Sequence, residues 1–170
     1  PVGDRTVAEG QELLNNLSAT DADGDGLTYA ISKLPPGAEF DARTGILRWT
    51  PSLLQAGIYS GIELSVTDGN RSDSESISIT VGNTNQAPSF LPQFLQSTRE
   101  NALLQFTLLT SDFDNDALTI TPVTALPRGA VLDSLSGRFQ WTPDYDQAGT
   151  YDLSLRVRDP GGLTDTASVR

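Results

Sequence analysis

The chain has 170 residues, 11 basic and 22 acidic, and a formal charge of −11. It contains no cysteine and no histidine, which excludes disulfides, thiol nucleophiles, imidazole acid–base chemistry and the usual zinc sites. The negative balance argues against nucleic acid as a partner, because phosphate neutralisation needs clustered Lys and Arg. No run approaches the roughly 20 apolar residues of a membrane helix, so no direct membrane insertion is expected. The start, Pro1-Val2-Gly3-Asp4, lacks the basic and apolar blocks of a secretion signal and reads as an internal piece of a longer protein. What the composition leaves open is a hard cation held by oxygen ligands.

In chain order the elements are short and of period two. Leu27–Ile31 alternates, and Asp41-Ala42-Arg43-Thr44-Gly45 reads as a tight hairpin turn before a strand that ends at Trp49. Ile62–Val66 and Ile77–Val81 alternate again. The same sequence of elements then recurs, with the turn at Asp133-Ser134-Leu135-Ser136-Gly137, a strand ending at Trp141, and alternation through Asp152–Arg158. No stretch has the pattern of a three-turn helix.

The recurrence is a true repeat at an offset of 91 to 92 residues. Leu34-Pro35-Pro36-Gly37-Ala38 matches Leu126-Pro127-Arg128-Gly129-Ala130, and Trp49-Thr50-Pro51 matches Trp141-Thr142-Pro143. Gln55-Ala56-Gly57-Ile58-Tyr59 matches Gln147-Ala148-Gly149-Thr150-Tyr151, and Asp68 matches Asp159. The seam is the polar, proline-ended stretch Gly82–Pro88. Two domains are therefore expected, at 1–84 and 85–170, with the last strand of the second cut short at Val169-Arg170. Both copies are acidic, at −7 and −4. About seven short strands per copy, separated by turns, predict an all-β fold of two tandem seven-stranded Greek-key β-sandwiches. Trp49 and Trp141 are expected in the cores, and Tyr59 and Tyr151 are expected to tie a loop back to the sandwich corner.

The sharpest chemical feature is Asp-x-Asp-x-Asp, at Asp21, Asp23 and Asp25 and again at Asp112, Asp114 and Asp116. Carboxylates on alternate loop residues repel unless solvent or a cation separates them, and calcium takes six to eight oxygens. The first copy opens like an EF-hand loop, but its twelfth position is Ser32 where that motif needs a bidentate Glu, and strands flank it. The competing reading is a pair of solvated Asx turns.

As a set these elements resemble cadherin-like domains, in particular the dystroglycan-type and immunoglobulin-like repeats of microbial surface proteins. Arg99-Glu100-Asn101 resembles the Pro-Glu-Asn motif of that family, and Val7-Ala8-Glu9-Gly10 is its weaker counterpart. Asp112-Phe113-Asp114 resembles Asp-x-Asp, and Asp144-Tyr145-Asp146 resembles Asp-Arg-Glu. Asp68 and Asp159 resemble the Asp of Ala-x-Asp, and Asn85-Gln86-Ala87-Pro88-Ser89-Phe90 resembles the linker.

The resemblance implies calcium at domain junctions. Carried over, it assigns Glu9, Asp112, Asp114 and Asp159 to the internal junction, with Asn85 and neighbouring carbonyls in support, and Asp116 in the same loop. Asp21, Asp23 and Asp68 would face a preceding domain, and Glu100, Asp144 and Asp146 a following one; the alternative is a local site on the Asp-rich loop of each copy, to which Asp25 would belong. Ser52 and Leu54 stand where two of the expected carboxylates would be in copy one, which implies at most one weakly held ion.

The expected function is a calcium-binding structural and adhesive module of a large secreted or cell-surface protein, with calcium stiffening the junction and no enzymatic activity. Its partners would be neighbouring repeats, another copy of itself, a cell-surface protein or a polysaccharide. The alternative is a carbohydrate-binding accessory module, whose signature would be a row of exposed aromatics; only 7% of residues are aromatic.

Overall fold

The computed structural model describes residues 1–92 and 95–170. Its regular structure is all strand, and the chain divides into two compact units, residues 1–84 and 85–170.

The first unit has seven strands: β1 (Arg5–Ala8), β2 (Leu13–Asn16), β3 (Thr28–Ser32), β4 (Glu39–Asp41), β5 (Ile46–Trp49), β6 (Gly57–Thr67) and β7 (Ser72–Gly82). They form a four-stranded sheet in the order β1-β7-β6-β3 and a three-stranded sheet in the order β2-β5-β4. β1 runs parallel to β7, pairing Arg5 with Ile79 and Ala8 with Gly82, whereas the other pairs are antiparallel. Alternation along β5, β6 and β7 sends Leu47, Trp49, Ile62, Leu64, Ile77, Ile79 and Val81 into one continuous core. Trp49 meets Tyr59 edge-on at 4.9 Å. The Tyr59 hydroxyl donates to Gln55 O at 3.0 Å, which fastens the loop ahead of β6 to the sandwich.

The second unit comprises β8 (Ser89–Phe90), β9 (Leu104–Thr107), β10 (Thr110–Ser111), β11 (Thr119–Pro122), β12 (Val131–Leu132), β13 (Arg138–Trp141), β14 (Leu153–Arg158) and β15 (Thr164–Val169). Three sheets result: β12-β13-β9, β11-β14-β15 and the pair β10-β8. The line from Leu104 to Ser111 changes partners part-way, from β13 to β8. That switch separates β9 from β10. Trp141 and Tyr151 repeat the edge-on contact at 4.8 Å, and Tyr151 repeats the hydroxyl bond to Gln147 O at 3.0 Å.

Both hairpin turns are built alike. Asp41 Oδ1 accepts the N–H groups of Arg43 and Thr44, and Asp133 Oδ1 those of Leu135 and Ser136. These bonds hold both carboxyls below their ordinary pKa, with the Arg43 N–H the largest cause at Asp41 and the Ser136 N–H at Asp133. Gly45 and Gly137 close the turns at φ of 70° and 69°. A Cβ at Gly137 would lie 2.6 Å from Leu108 O, so glycine is required by space as well as by backbone angle.

Candidate metal centre

The Asp112–Asp116 loop follows β10 in the second unit. Asp112 Oδ1 accepts the N–H of Asp114 at 2.8 Å and that of Asp116 at 3.3 Å, so the first carboxylate organises the turn. Its other oxygen, Oδ2, is buried and has no hydrogen-bond partner. Carboxylate oxygens of Asp112, Asp114 and Asp116 all lie within 4.8 Å of one another, with each residue half-buried. Burial, followed by the charges of Asp112, Asp114 and Asp159, holds the Asp116 carboxyl above its ordinary pKa. The neighbouring carboxylates thus add to the burial that already disfavours its charged form.

The segment at the start of this unit is tied to the same carboxylates. Gln86 N–H donates to Asp114 Oδ2 at 2.5 Å, and the Asn85 amide donates to Asp159 Oδ2 at 2.9 Å. Asp159 is 4% exposed, and its Oδ1 also accepts from Gly162 and Leu163 N–H. Three donors offset the cost of burying it. Gly161 leaves the space that the Asn85 side chain fills, because a Cβ there would run into the amide.

In the first unit the expected ligands are placed differently. Glu9 is 2% exposed and accepts three backbone N–H groups, from Gln55, Ala56 and Thr84. Three of a carboxylate's roughly four acceptor positions are thus used in holding its own unit together. Asp21 Oδ1 takes the N–H groups of Asp23 and Asp25, in the same turn that Asp112 makes. Yet Asp23 and Asp25 are exposed, and among the described residues the three do not form a second gathered set. Asp68 accepts from Arg71 and Asn70 N–H, which hold its carboxyl below the ordinary pKa.

Elsewhere in the second unit, Asp144 and Asp146 are both engaged by Arg128, at 3.1 and 2.7 Å. The hydrogen bond to Asp146 is the leading cause of the upward shift of Arg128. Glu100 is exposed. Sequence reasoning did not identify Arg128 as a partner, although the signal was there. The first repeat has Pro36, Ser52 and Leu54 at these three positions, so the guanidinium and both carboxylates are present in one copy and absent from the other.

The family model described as Bacterial Ig domain matches residues 85–170. The chain belongs to that family. A second family model, described as "Putative Ig domain", matches residues 1–82. Among solved structures the chain is similar to mouse cadherin-23 EC22-24, with a TM-score of 0.66 at 16% identity over 98% of this chain and 61% of that one. It is also similar to human protocadherin-24 EC1-2, with a TM-score of 0.64 at 16% identity over 99% and 93%. The protocadherin γB4 extracellular domain gives 0.59 at 19% identity over 99% and 33%. These likenesses establish a tandem cadherin/Ig-like β-sandwich fold. No curated protein sequence matches the chain. Domains of this kind are typically structural, non-enzymatic and extracellular, and no helix among the described residues is long and apolar enough to cross a membrane.

Proposed function

We propose that the chain is a calcium-binding structural and adhesive repeat module of a secreted or cell-surface protein. The observation that carries this reading is the gathered set Asp112, Asp114 and Asp116, with the buried oxygen of Asp112 left without a partner. The donor chemistry fits calcium. All three groups are hard anionic oxygens in a loop, and calcium accepts a flexible shell of such ligands, whereas magnesium demands a stricter octahedron. Asp112, Asp114 and Asp116 would hold the ion, with Asp159 in reserve through the Asn85 contact. Glu9, Asp21, Asp23, Asp25, Asp68, Glu100, Asp144 and Asp146 are left to turns, backbone anchoring and the Arg128 pair.

Bound calcium turns mutual repulsion into shared attraction within this loop. Because Asp114 receives the Gln86 N–H and Asp159 the Asn85 amide, an ordered loop restrains the segment that leads into the second repeat. The module's mechanical role follows: residues 85 and 86 lose freedom when calcium is present. Its adhesive partners would be neighbouring repeats, another copy or a surface ligand. Extracellular calcium modules bind with dissociation constants of about 10⁻⁴–10⁻³ M.

The test is calorimetric titration of the chain with calcium and with magnesium. One calcium-specific event, lost in Asp112→Ala and Asp114→Ala but kept in Asp144→Ala, supports the reading. Calcium binding unaffected by the first two substitutions, or no binding at millimolar calcium, contradicts it.

A further inference from the structure

Along β14 the alternation that buries Leu153, Leu155 and Val157 turns Arg156 and Arg158 outward, and both are exposed. Residues i and i+2 of a strand share a face, about 7 Å apart. The neighbouring strands complete two rows across the sheet, Thr121-Arg156-Thr166 and Thr119-Arg158-Thr164. All four threonines are exposed as well. The Arg158 guanidinium lies over the turn that follows, where a Cβ on Gly162 would come within 3.2 Å of its Nη2.

Other arginines of this unit are engaged. Arg128 is held by Asp144 and Asp146, Arg170 by Asp152, and Arg138 by the Gln105 amide oxygen. Among the described residues no carboxylate pairs with Arg156 or Arg158, and neither row contains an acidic residue. Edge protection does not account for them, since charged side chains guard unpaired edges and β14 is the central strand of its sheet. Nor does the repeat pattern. The equivalent rows of the first unit are Ala30-Ser65-Ser74 and Thr28-Thr67-Ser72, which carry no charge. Two unpaired cations thus stand side by side in one copy only, in a chain of net charge −11.

We propose that this face is a docking surface for an anionic polysaccharide, with its carboxylate or sulfate groups taken by Arg156 and Arg158 and its hydroxyls by the flanking threonines. A guanidinium binds an oxyanion through paired N–H donors, and each threonine hydroxyl both donates and accepts. The occupant is a sugar polymer rather than a protein because the two rows include no aromatic or large aliphatic anchor, which protein interfaces concentrate at their centres. Nucleic acid, with its dense phosphates, needs more basic groups than two. A polymer with spaced charges and many hydroxyls matches the Arg–Thr rows. This surface would serve the adhesive role proposed above, on which the assignment rests, and takes no part in the Asp112–Asp116 loop.

The test is NMR titration of the full chain in chelator, following backbone amide shifts. Trigalacturonate and sulfated maltotriose are the anionic probes, maltotriose the neutral one and triglutamate the acidic peptide. Chelator removes bridging by calcium, so failure here leaves the calcium reading standing. One or both anionic sugars should shift amides of residues 119–121, 156–158 and 164–166, and whichever binds identifies carboxylate or sulfate as the group recognised. The double variant Arg156→Gln/Arg158→Gln should weaken that binding about tenfold. Arg138→Gln, on the other sheet, should leave it unchanged, and calorimetric calcium binding should be the same in all three proteins. The wild-type shift map stands whether or not the double variant folds. No shifts with either anionic sugar, shifts confined to other surfaces, or undiminished binding by the double variant would overturn the proposal. So would maltotriose binding as tightly, which would remove the role of the charges, or triglutamate doing so, which would mark a site for acidic protein segments instead.

Discussion

Replacing Asp112 with Asn should have opposite effects with and without calcium. The amide keeps an oxygen to accept the Asp114 and Asp116 N–H groups that Asp112 Oδ1 now serves, so the turn itself survives. What disappears is one negative charge within 4.8 Å of two others. Even at the dielectric constant of water, a pair of unit charges at that separation repels by about 0.9 kcal/mol. Relief of the Asp112–Asp114 pair alone should thus stabilise the metal-free second repeat by about 1 kcal/mol. For a domain of this size that is roughly 4–8 °C in melting temperature.

In calcium the order reverses. At ten times the dissociation constant one site adds about 1.4 kcal/mol to the wild type, and Asp112→Asn forfeits most of it. Differential scanning calorimetry in chelator and in 10 mM calcium reads both arms, and only the transition of the second repeat should move. If the variant is less stable than wild type in chelator, and calcium shifts neither protein, Asp112 is a turn acceptor and nothing more.

Two further outcomes follow from the turns. Gly137→Ala should cost about 3 kcal/mol in urea denaturation, combining the left-handed backbone angle, the clash with Leu108 O and loss of the Leu108 N–H bond to Gly137 O. Gly129→Ala, at φ of 83° with open space around its Cβ, should cost only about 1 kcal/mol, and equal losses would refute the steric part of the argument. Because the Asp133 carboxyl is held below its ordinary pKa of 3.8 by the Ser136 and Leu135 N–H groups, its contribution is present above that pH and lost as pH falls through the lower folded value. Asp133→Asn should therefore flatten the decline of the urea midpoint below about pH 4. An unchanged decline would show that other carboxylates carry it.

Much of the fold was legible because its determinants are local and occur twice. Asp41 and Asp133, with Gly45 and Gly137, specify the same turn from five residues each, and Trp49 and Trp141 stand in the same relation to Tyr59 and Tyr151. The partner switch that splits β9 from β10 was not legible, since it depends on which neighbour each half of one line meets. The geometry of the Asp-rich loops was half legible. Asp21–Asp25 and Asp112–Asp116 share a motif and make the same Asx turn, yet only the second gathers its carboxylates. The second also receives a contact from elsewhere in its unit, the Gln86 N–H on Asp114, which no local motif reveals. Glu9 shows the opposite limit. Its motif suggested a ligand, while its surroundings supply three backbone donors that no spacing rule reveals. Arg128 meets Asp144 and Asp146 through the fold, and its trace in the sequence is that all three are present in one copy and replaced in the other.

The most direct test of the central claim is a crystal of the chain grown in calcium and measured for anomalous scattering at long wavelength. One peak is expected in the second repeat, within about 2.3–2.6 Å of carboxylate oxygens from Asp112, Asp114 and Asp116. A calcium peak elsewhere, such as on Asp144 and Asp146 with Arg128 displaced, or none at 10 mM calcium, would contradict it.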